Sequence, residues 1–404
     1  MSEEFQAPRG FHDILGDDLK RFRKVTTTVR EILKKHNFEE IILPVVEFAD
    51  LFERSIGEAT DIVQKEMFIF EDRKGRRLAL RPEGTAGAVR AYIQSRLYTK
   101  RTYHKLFYEG PMFRHERPQA GRYRQFHQIG VEVFGAPQPY ADAELIKICW
   151  DIIGSLNVKA DIEINSLGCK VCRPAYREAL VGYLRGVEGK LCDVCLDRKE
   201  RNPLRVLDCK VETCREAVKE APKMVDYLCE ECREHYSKVR EYLEVLGVRY
   251  RENPNLVRGL DYYTRTVFEV VSPDLGSAVI AGGRYDHLVE EFGGPPTPAL
   301  GFAVGVERLS LLVGTPGEDD PVYFIIPLGD VIPYAIEVAD TLRKKGKVAE
   351  LSYRGGSLRK QLDFANRMGY RYAVIIGEDE VREGVVSLKD METGEQVKVR
   401  PEEI

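Results

Sequence analysis

The chain has 404 residues, enough for about two or three domains that each bury a core. Its composition, 43% hydrophobic and 31% charged, is typical of a folded globular protein and excludes a disordered chain. There is no apolar run of membrane-spanning length, and the polar amino terminus lacks the pattern of a secretory signal, so we expect a cytoplasmic protein. Because the formal net charge is -4, any nucleic acid must be bound through local basic patches.

The amino-terminal part of the chain alternates helix and strand patterns. Apolar residues recur at helical spacing over 19–33, after an acidic start, and predict a helix. The segment EEIILPVVEF (39–48) predicts a strand, and FEDRKGRRLAL (70–80) predicts a charged hairpin. The segments HKLFYEGPMFRHE (104–116) and YRQFHQIGVEVFG (123–135) predict two antiparallel strands joined by a polar loop.

A charged segment interrupts this alternation further along the chain. ADAELIKICWDIIGSL (141–156) predicts an amphipathic helix, and VKADIEINS (158–166) alternates as a half-buried strand does. The following segment, 169–245, is helical and charged, unlike its strand-rich neighbours, and we interpret it as an insertion. Strands are predicted to resume at 256–271 and 277–282.

The carboxy-terminal part follows a segment rich in Gly, Pro and Asp, GTPGEDDP (314–321), which predicts a linker. Beyond it, strand and helix patterns alternate and finish with a terminal hairpin. Such alternation implies a parallel sheet with covering helices. The sequence therefore predicts a separate α/β domain at this end of the chain.

Nine cysteines without an export signal argue against a disulfide scaffold. Cys149 lies in an apolar helical stretch and is predicted to be a core residue. The other eight form close pairs, and thiolates two residues apart can bind one tetrahedral zinc ion. Reduced thiols lining small helical turns would have the same spacing, and spacing does not say which pairs combine. The pairs are Cys169/Cys172, Cys192/Cys195, Cys209/Cys214 and Cys229/Cys232.

A carboxylate beside a predicted helix start is the first candidate site residue. In LRPEGTAG (80–87), a strand ends and a helix should begin, with Thr85 as its predicted N-cap. Glu83 could accept a hydrogen bond from a substrate ammonium, or it could simply offset the charge of nearby arginines.

The predicted hairpin at 104–135 carries a dense group of cations. Guanidinium groups bind phosphates in a bidentate manner, so four arginines close together suit the anionic part of a nucleotide. Gln128 and Glu132 have the strand parity of Phe126 and Gly130, which would place them on one concave face. A solvated basic loop is the alternative, but a charged residue on an inward face is rare unless it is paired. The arginines are Arg114, Arg117, Arg122 and Arg124.

Polar residues also stand at the entrance of a later predicted strand. LVRGLDYYTRTVFEV (256–270) places Arg258, Tyr262 and Tyr263 where ordinary core packing would prefer Val or Ile. In AGGRYDHL (281–288), a double glycine lets backbone approach a ligand closely, although it often marks only a bulge.

One arginine lies in an unusually apolar context. Arg308 follows a strand of small residues in ALGFAVGVERLSLLV (299–313) and precedes a buried helix. An arginine in such surroundings needs an anion, and a bound polyphosphate is a natural one.

Together these residues resemble the bacterial-type histidyl-tRNA synthetases, which are class II aminoacyl-tRNA synthetases. IILPVVEFADLF (41–52) is similar to motif 1, FRHERPQAGRYRQF (113–126) to motif 2 and GFAVGVERL (301–309) to motif 3. RGLDYYTRTVFE (258–269) is similar to the signature of the histidine-specific members. The resemblance covers essentially the whole chain. It implies an α+β fold with a six-stranded antiparallel catalytic sheet, flanking helices, a helical insertion, a C-terminal α/β anticodon-binding domain, and a homodimer.

The resemblance also implies a domain order. The catalytic domain would comprise residues 1–168, with motifs 1 and 2, and 246–313, with the histidine signature and motif 3. The insertion would be 169–245, the linker 314–320 and the anticodon-binding domain 321–404.

The resemblance assigns the ATP site to cationic residues. Arg114 would hold the α-phosphate and the histidine carboxylate, and Arg308 would hold the γ-phosphate of ATP, which binds with Mg²⁺. Glu116 and Arg122 would complete this site. Arg258, which would also contact histidine, is expected to act on the α-phosphate from the opposite side, where other class II enzymes often use a metal. Arg258 and Arg114 are therefore the predicted catalytic residues.

The resemblance assigns histidine recognition to a second group. Glu83 and Gln128 would meet the α-amino group and carboxylate region, while Glu132 and Tyr263 would hydrogen-bond the imidazole. Neutral imidazole has one donor and one acceptor, so a Glu and a Tyr can bind both nitrogens. The remaining residues predicted to line the pocket are Thr85, Tyr262 and Tyr285.

Two other functions are alternatives to that of a synthetase. A synthetase-like regulatory subunit of ATP phosphoribosyltransferase shares the catalytic fold, but such proteins typically lack the histidine signature and the anticodon-binding domain. An RNA-binding sensor on the same fold would not need the arginines that face ATP. The implied function is therefore ATP-dependent ligation of L-histidine to tRNA(His) through a histidyl-adenylate.

The C-terminal domain carries a basic segment, RGGSLRKQLDFANRMGYRY (354–372). Its cations are compatible with binding an anticodon stem, because phosphate contacts supply much of the affinity for nucleic acids. A solvated helix face would have a similar composition. The cations are Arg354, Arg359, Lys360, Arg367 and Arg371.

Overall fold

The computed structural model describes residues 5–57, 60, 62–118, 121–315, 317 and 320–404. Residues 119 and 120 of the predicted motif 2 loop, and residues 316, 318 and 319 of the predicted linker, lie outside this set. The chain divides into two compact units, 1–316 and 317–404, each with its own sheet and core. Within the described ranges, no helix is both long and apolar enough to cross a membrane.

The larger unit is built on an eight-stranded sheet. Six central strands run antiparallel to their neighbours, as the family resemblance implies, and a two-residue parallel strand is added at each edge. In sheet order the strands are β1 (Glu39–Glu40), β5 (His104–Phe113), β6 (Gln125–Phe134), β11 (Ala299–Gly305), β10 (Ser277–Arg284), β9 (Thr264–Ser272), β7 (Asp161–Ser166) and β8 (Arg251–Glu252).

A second sheet of this unit contains the charged hairpin. Strands β2 (Val46–Phe48), β4 (Arg77–Leu80) and β3 (Phe68–Glu71) pair antiparallel in that order. The prediction of one continuous strand over 39–48 is wrong, because β1 and β2 belong to different sheets. Pro44 stands between them, and a proline has no N–H group to donate to a ladder.

Helices cover the large sheet and form the insertion. The predicted helix at 19–33 extends over α1, with acidic residues in its first turn and lysines in its last, the charge order that a helix dipole favours. The insertion is helical, as predicted, and the core residue Cys149 is fully buried in α4. The helices are α1 (Gly16–Lys35), α2 (Ala49–Ile56), α3 (Thr85–Gln94), α4 (Pro139–Ser155), α5 (Arg173–Gly186), α6 (Asp193–Arg201), α7 (Glu212–Ala217), α8 (Glu230–Val245), α9 (Leu288–Glu291) and α10 (Val306–Ser310).

Single helical turns connect several of these elements. The insertion contains three of them, all 3₁₀ turns, between its α-helices. The full set of single turns in the described residues is a π-type turn at Ile62–Glu66 and 3₁₀ turns at Leu97–Thr99, Glu188–Lys190, Pro203–Val206, Met224–Tyr227 and, in the smaller unit, Pro401–Glu403.

Strand β9, which carries the second half of the signature of the histidine-specific members, is shorter than predicted. It begins at Thr264, not at Leu256. Arg265 has a left-handed φ of 47°, and the pairing of β9 with β10 shifts register between Gly283 and Arg284. This bulge ends the regular ladder, so the residues before Thr264 leave the sheet as a loop.

The smaller unit has the predicted alternation of strands and helices. Its sheet has parallel strands on one side and a terminal antiparallel hairpin on the other. The helix at Glu378–Glu383 was not predicted, and its start is capped by the Glu380 carboxylate, which accepts from the Gly377 amide at 3.0 Å. In sheet order the strands are β13 (Val348–Leu351), β12 (Val322–Pro327), β14 (Tyr372–Ile376), β15 (Val386–Asp390) and β16 (Gln396–Val399), and the helices are α11 (Ile332–Lys344), α12 (Leu358–Arg367) and α13 (Glu378–Glu383).

Candidate active site

The start of α3 is capped by Glu83, and the predicted N-cap role of Thr85 is wrong. The Glu83 carboxylate accepts hydrogen bonds from the backbone amides of Thr85 at 2.6 Å and Ala86 at 2.9 Å. Burial raises the pKa of Glu83, and these two amide hydrogen bonds oppose that rise. Because Glu83 caps the helix, the Thr85 hydroxyl is available to donate to Glu132 Oε1 at 2.8 Å.

Glu132 is a carboxyl buried among hydroxyl groups. Its side chain accepts from the hydroxyls of Thr85, of Tyr108 at 2.9 Å and of Tyr285. Burial raises the pKa of Glu132 to about 8, although hydrogen bonds from Tyr285 and Thr85 act to lower it. Such a carboxyl can exchange a proton near neutral pH, and it suits a ligand that offers a ring N–H.

Glycines make room for this group. A Cβ atom on Gly84 would lie 2.1 Å from Tyr108 Cε2, and one on Gly301 would lie 2.2 Å from Glu132 Oε2. Sequence reasoning missed Tyr108, because a tyrosine within a strand looks like an ordinary core residue. The available signal was Gly130, which lies opposite Tyr108 in the β5–β6 ladder, since a glycine inside a strand often marks a close approach.

Three predicted tyrosines form one buried group beside Glu132. The ring centres of Tyr262 and Tyr263 are 4.7 Å apart, and those of Tyr262 and Tyr285 are 5.5 Å apart. All three are nearly inaccessible to solvent. The structure therefore brings the signature tyrosines and Tyr285 to the same carboxyl.

Arg258 lies at the edge of this aromatic group. Its guanidinium carbon is 5.7 Å from the centre of the Tyr263 ring, and the side chain forms an ion pair with Glu269. Among the described residues, the buried Nε of Arg258 has no hydrogen-bond partner. A buried donor without a partner is costly unless a ligand satisfies it.

Arg114 packs against the face of β6 that strand parity predicts for Gln128 and Glu132. Its Nε donates to the Pro82 carbonyl at 2.8 Å, and its guanidinium carbon is 5.4 Å from the centre of the Phe126 ring. Gln128 and Glu132 follow Phe126 at two-residue steps along β6 and so share its side of the strand. Arg114 thus lies beside the face that carries Gln128 and the buried carboxyl.

A second cationic group lies around Arg308. Its Nε donates to the Gly121 carbonyl at 3.2 Å, and Arg122 faces Glu116 at 3.4 Å. Burial lowers the pKa of Arg308, and the positive charges of Arg122 and Arg114 lower it further. Cations that repel one another in a half-buried site are suited to bind a polyanion.

Two other arginines of the predicted hairpin, and Arg284 after the double glycine, have other surroundings. Arg117 is exposed, and the side chain of Arg124 packs against Gly10. Arg284 is a structural residue, 1% exposed, which pairs with buried Asp142. The ion-pair partners of Arg284 leave it no role as a ligand of a substrate.

Family comparisons agree with this geometry. Residues 10–309 match a family model described as histidyl-tRNA synthetase, and residues 323–404 match one described as an anticodon binding domain. The chain belongs to the histidyl-tRNA synthetase family.

Individual relatives extend over nearly the full length of this family member. A histidine–tRNA ligase of Aquifex aeolicus is 69% identical over 400 residues, which cover 99% of this chain and 99% of that protein. The crystal structure of apo S. aureus histidyl-tRNA synthetase matches with a TM-score of 0.81 at 35% identity, covering 98% of this chain and 97% of the other.

A second solved structure bears on the alternative function. An ATP phosphoribosyltransferase regulatory subunit/histidyl-tRNA synthetase from Bacillus halodurans matches with a TM-score of 0.68 at 22% identity, covering 92% of this chain and 98% of the other. At that identity the likeness shows a shared fold alone.

The cysteine pairs of this synthetase-family chain converge into two groups. In each group, the four sulfur atoms lie within 4.8 Å of one another, so each group can hold a metal ion. The structure thus answers which pairs combine. The first tetracysteine cluster is Cys169, Cys172, Cys229 and Cys232, and the second is Cys192, Cys195, Cys209 and Cys214.

Proposed function

We propose that this chain activates L-histidine with ATP and transfers the histidyl group to tRNA(His), releasing AMP and diphosphate. The observation that carries the proposal is Glu132, a buried carboxyl that accepts from tyrosine hydroxyls, on the strand face whose Phe126 packs against Arg114. A carboxyl in this setting matches an imidazole, and the arginines match the phosphates of ATP.

The first step joins two anions. An oxygen of the histidine carboxylate attacks the α-phosphorus of ATP, which enters as its Mg²⁺ complex, and diphosphate leaves. We assign Arg114 and Arg258 to the α-phosphate from opposite sides and Arg308 to the γ-phosphate, and we include Glu116 and Arg122 among the residues that bind ATP. Cations that are fixed before the reaction offset the developing charge without reorganising.

The Nε of Arg258 supports its assignment. This buried donor has no hydrogen-bond partner among the described residues and can donate to a phosphate oxygen. The ion pair with Glu269 limits the movement of the guanidinium, which favours a positioned cation over a mobile one.

We assign histidine recognition to the carboxyl and the tyrosines. Glu132 would accept from one imidazole nitrogen, and Tyr263 would donate to the other. A pocket built on paired polar groups leaves them unsatisfied when an apolar competitor binds, which discriminates by about 10⁴ or more. Around this pair, Glu83 and Gln128 would bind the amino and carboxylate groups, and the lining residues are Thr85, Tyr262 and Tyr285.

We assign tRNA binding to the smaller unit. Four of the five predicted cations, Arg354, Arg359, Lys360 and Arg367, are exposed on or beside α12. Arg371 is half-buried and pairs with Asp390 at 2.8 Å, so it is the least suited of the five to contact phosphate. An anticodon stem would be bound through phosphates and read through its bases.

We also propose a cytoplasmic homodimer. Large apolar side chains are exposed on and beside the three-stranded sheet β2–β4–β3 of the larger unit, including Ile42 at 89% and Phe48 at 51%. Adjacent exposed apolar residues typically mark a protein–protein interface. Sedimentation equilibrium should give twice the chain mass, and a monomer at micromolar concentration would contradict this assignment. The other members of the apolar surface are Val45, Val46, Ile69 and Phe70.

Amino-acid-dependent exchange of diphosphate into ATP tests the main proposal. The purified chain with Mg²⁺ is assayed with each amino acid in parallel, and exchange is expected with histidine alone. Absence of exchange in folded protein would favour the regulatory-subunit alternative, and exchange with another amino acid would overturn the assignment of the pocket. Transfer to tRNA(His) transcript then tests the second step.

A further inference from the structure

Both tetracysteine clusters have the geometry of a tetrahedral thiolate site. With zinc–sulfur bonds of about 2.3 Å, the sulfurs of such a site lie about 3.8 Å apart. The sulfur of Cys169 is 3.6 Å from that of Cys172 and 3.8 Å from that of Cys229, and the sulfurs of Cys192 and Cys209 are 3.9 Å apart. A disulfide needs about 2.05 Å.

Backbone amides also point at these sulfurs. The amide of Cys229 donates to the Cys172 sulfur at 3.1 Å, and that of Cys192 donates to the Cys214 sulfur at 3.1 Å. Such donors stabilise thiolates and orient them toward a cation. The protein thus supplies both the ligands and the groups that hold them.

The first tetracysteine cluster is connected to one end of the signature loop, which we define as residues 258–263. Arg173, directly after this cluster's Cys172, donates to the Tyr263 carbonyl. The Arg265 amide donates at 2.8 Å to the carbonyl of Gly168, the residue immediately before Cys169. Glu231, between the last two cysteines of the cluster, forms an ion pair with Arg265.

The second tetracysteine cluster is connected to the other end. Two residues between its Cys195 and Cys209 contact the signature loop. Asn202 donates to the Asp261 carboxylate at 3.0 Å, and Arg205 donates to the Arg258 carbonyl at 3.2 Å.

We propose that each tetracysteine cluster binds one structural zinc ion, and that the two ions hold the signature loop in place from both ends. The loop leaves the sheet before Thr264, so the ladder does not fix it, and the insertion contributes hydrogen bonds to it at both ends. Zinc would then set the positions of Arg258 and Tyr263 without touching a substrate. The link to histidine rests on the proposed function; the link to the loop does not.

Elemental analysis of the full chain tests the metal. Two zinc ions per chain are expected, one for each cluster. Cys195→Ser and Cys232→Ser should each leave one zinc ion per chain. The control is Cys149→Ala in α4, at the one cysteine outside both clusters, and it should retain both ions. Iron in place of zinc, or metal-free protein with disulfides, would overturn the proposal. If the variants do not fold, release of zinc from the wild-type chain by an organomercurial gives the same count.

Hydrogen exchange tests the connection to the loop. After zinc release, the amides of 258–263 should exchange faster, while those of the hairpin β15–β16 in the smaller unit should not change. Unchanged exchange in the loop would show that the metal does not hold it.

Kinetic measurements on variants that keep the metal test the connection between the insertion and the histidine pocket. Asn202→Ala and Arg205→Met remove only the contacts to the loop and should retain two zinc ions. A displaced loop should raise the KM for histidine about tenfold, with the KM for ATP nearly unchanged. An unchanged KM for histidine would refute the link to the pocket. Loss of all exchange in zinc-loaded wild-type protein would count against the proposed function alone.

Discussion

A Cβ atom on Gly130 would lie 2.0 Å from Cζ of Tyr108, so a larger residue at position 130 and the tyrosine ring cannot occupy their present positions together. The hydroxyl of that ring is one of the three donors to Glu132. The glycine therefore sets the position of a group that contacts the proposed histidine-binding carboxyl.

Gly130→Ala should displace the Tyr108 ring and weaken its hydrogen bond to Glu132. We expect the KM for histidine to rise about tenfold, the effect of one lost hydrogen bond to a buried polar group. Exchange kinetics with histidine and ATP varied in turn measure it. The control is Gly154→Ala, at an exposed helical glycine with nothing within 4 Å of the added methyl, which should leave both KM values unchanged. Equal effects of the two variants would contradict the argument.

Strand parity explains how much of this site was predictable. Alternation along β6 places Gln128 and Glu132 on one face from sequence alone, because side chains of a strand alternate strictly. The donors to Glu132 were harder to find. Tyr108 comes from a neighbouring strand, and the availability of the Thr85 hydroxyl depends on Glu83 capping α3, which is a competition between two adjacent acceptors.

The fold shows the same division between local and tertiary information. The helices and hairpins follow from periodicity and turn residues, and most boundaries lie within a few residues of the prediction. The start of β9 does not, because the bulge at Arg265 depends on pairing with another strand. The grouping of cysteines was also open, since the members of one cluster are up to 63 residues apart in sequence, from 169 to 232.

The raised pKa of Glu132 predicts a pH dependence of stability. Between its ordinary value of 4.5 and about 8, the unfolded chain releases the proton while the folded chain retains it. The free energy of unfolding of the wild type should therefore fall, relative to Glu132→Gln, by up to about 1.4 kcal/mol per pH unit in this window.

Denaturant unfolding from pH 5 to pH 9 measures the difference in the free energy of unfolding between the wild type and Glu132→Gln. The fluorescence of the single tryptophan, Trp150 in α4, is the probe of the larger unit. The slope with pH is the relevant quantity, because the amide also alters the hydrogen bonds by a constant amount. A difference that stays constant, or that changes in favour of the wild type as pH rises, would contradict the direction of the shift.

Tyr285→Phe removes one hydroxyl donor to Glu132 and keeps the ring. Since this hydrogen bond lowers the pKa of Glu132, its loss should raise that pKa further and shift the pH profile of kcat/KM for histidine toward alkaline pH. The KM for histidine should also rise by about tenfold.

The matched control is Tyr370→Phe, which removes a hydroxyl that donates to Glu350 at 2.6 Å in the smaller unit. It deletes the same kind of hydrogen bond outside the proposed pocket. The exchange reaction should keep its pH profile in this variant, and a shift as large as that of Tyr285→Phe would argue against a direct effect on the carboxyl.

Arg258→His should lower the rate of adenylate formation by about 10²–10³, because it removes a positioned cation that offsets charge on the α-phosphate. The KM for ATP should change little, since Arg114 and Arg308 remain. Rapid-quench measurement of adenylate formation separates the two quantities. Arg101→His, which breaks an exposed ion pair with Glu39, is the control. A defect seen only in transfer to tRNA would show that Arg258 has another role.

The basic surface of α12 predicts a separate effect on tRNA. Arg359 and Lys360 are exposed at its first turn, where they do not compensate the helix dipole and are available to phosphates. The double variant Arg359→Ala/Lys360→Ala should raise the KM for tRNA(His) and leave diphosphate exchange unchanged. The slope of log affinity against log salt should become shallower by about 1.4–1.8, the value expected for two lost phosphate contacts.

The control removes two charges elsewhere in the same unit, with Lys344→Ala/Lys398→Ala. Both lysines are exposed and ion-paired on the protein, to Asp340 at 2.6 Å and to Glu383 at 2.7 Å. If general charge alone attracted tRNA, both double variants would weaken binding equally. A specific phosphate-binding surface requires a larger change in salt slope for the α12 variant, because released counterions report contacts and not net charge.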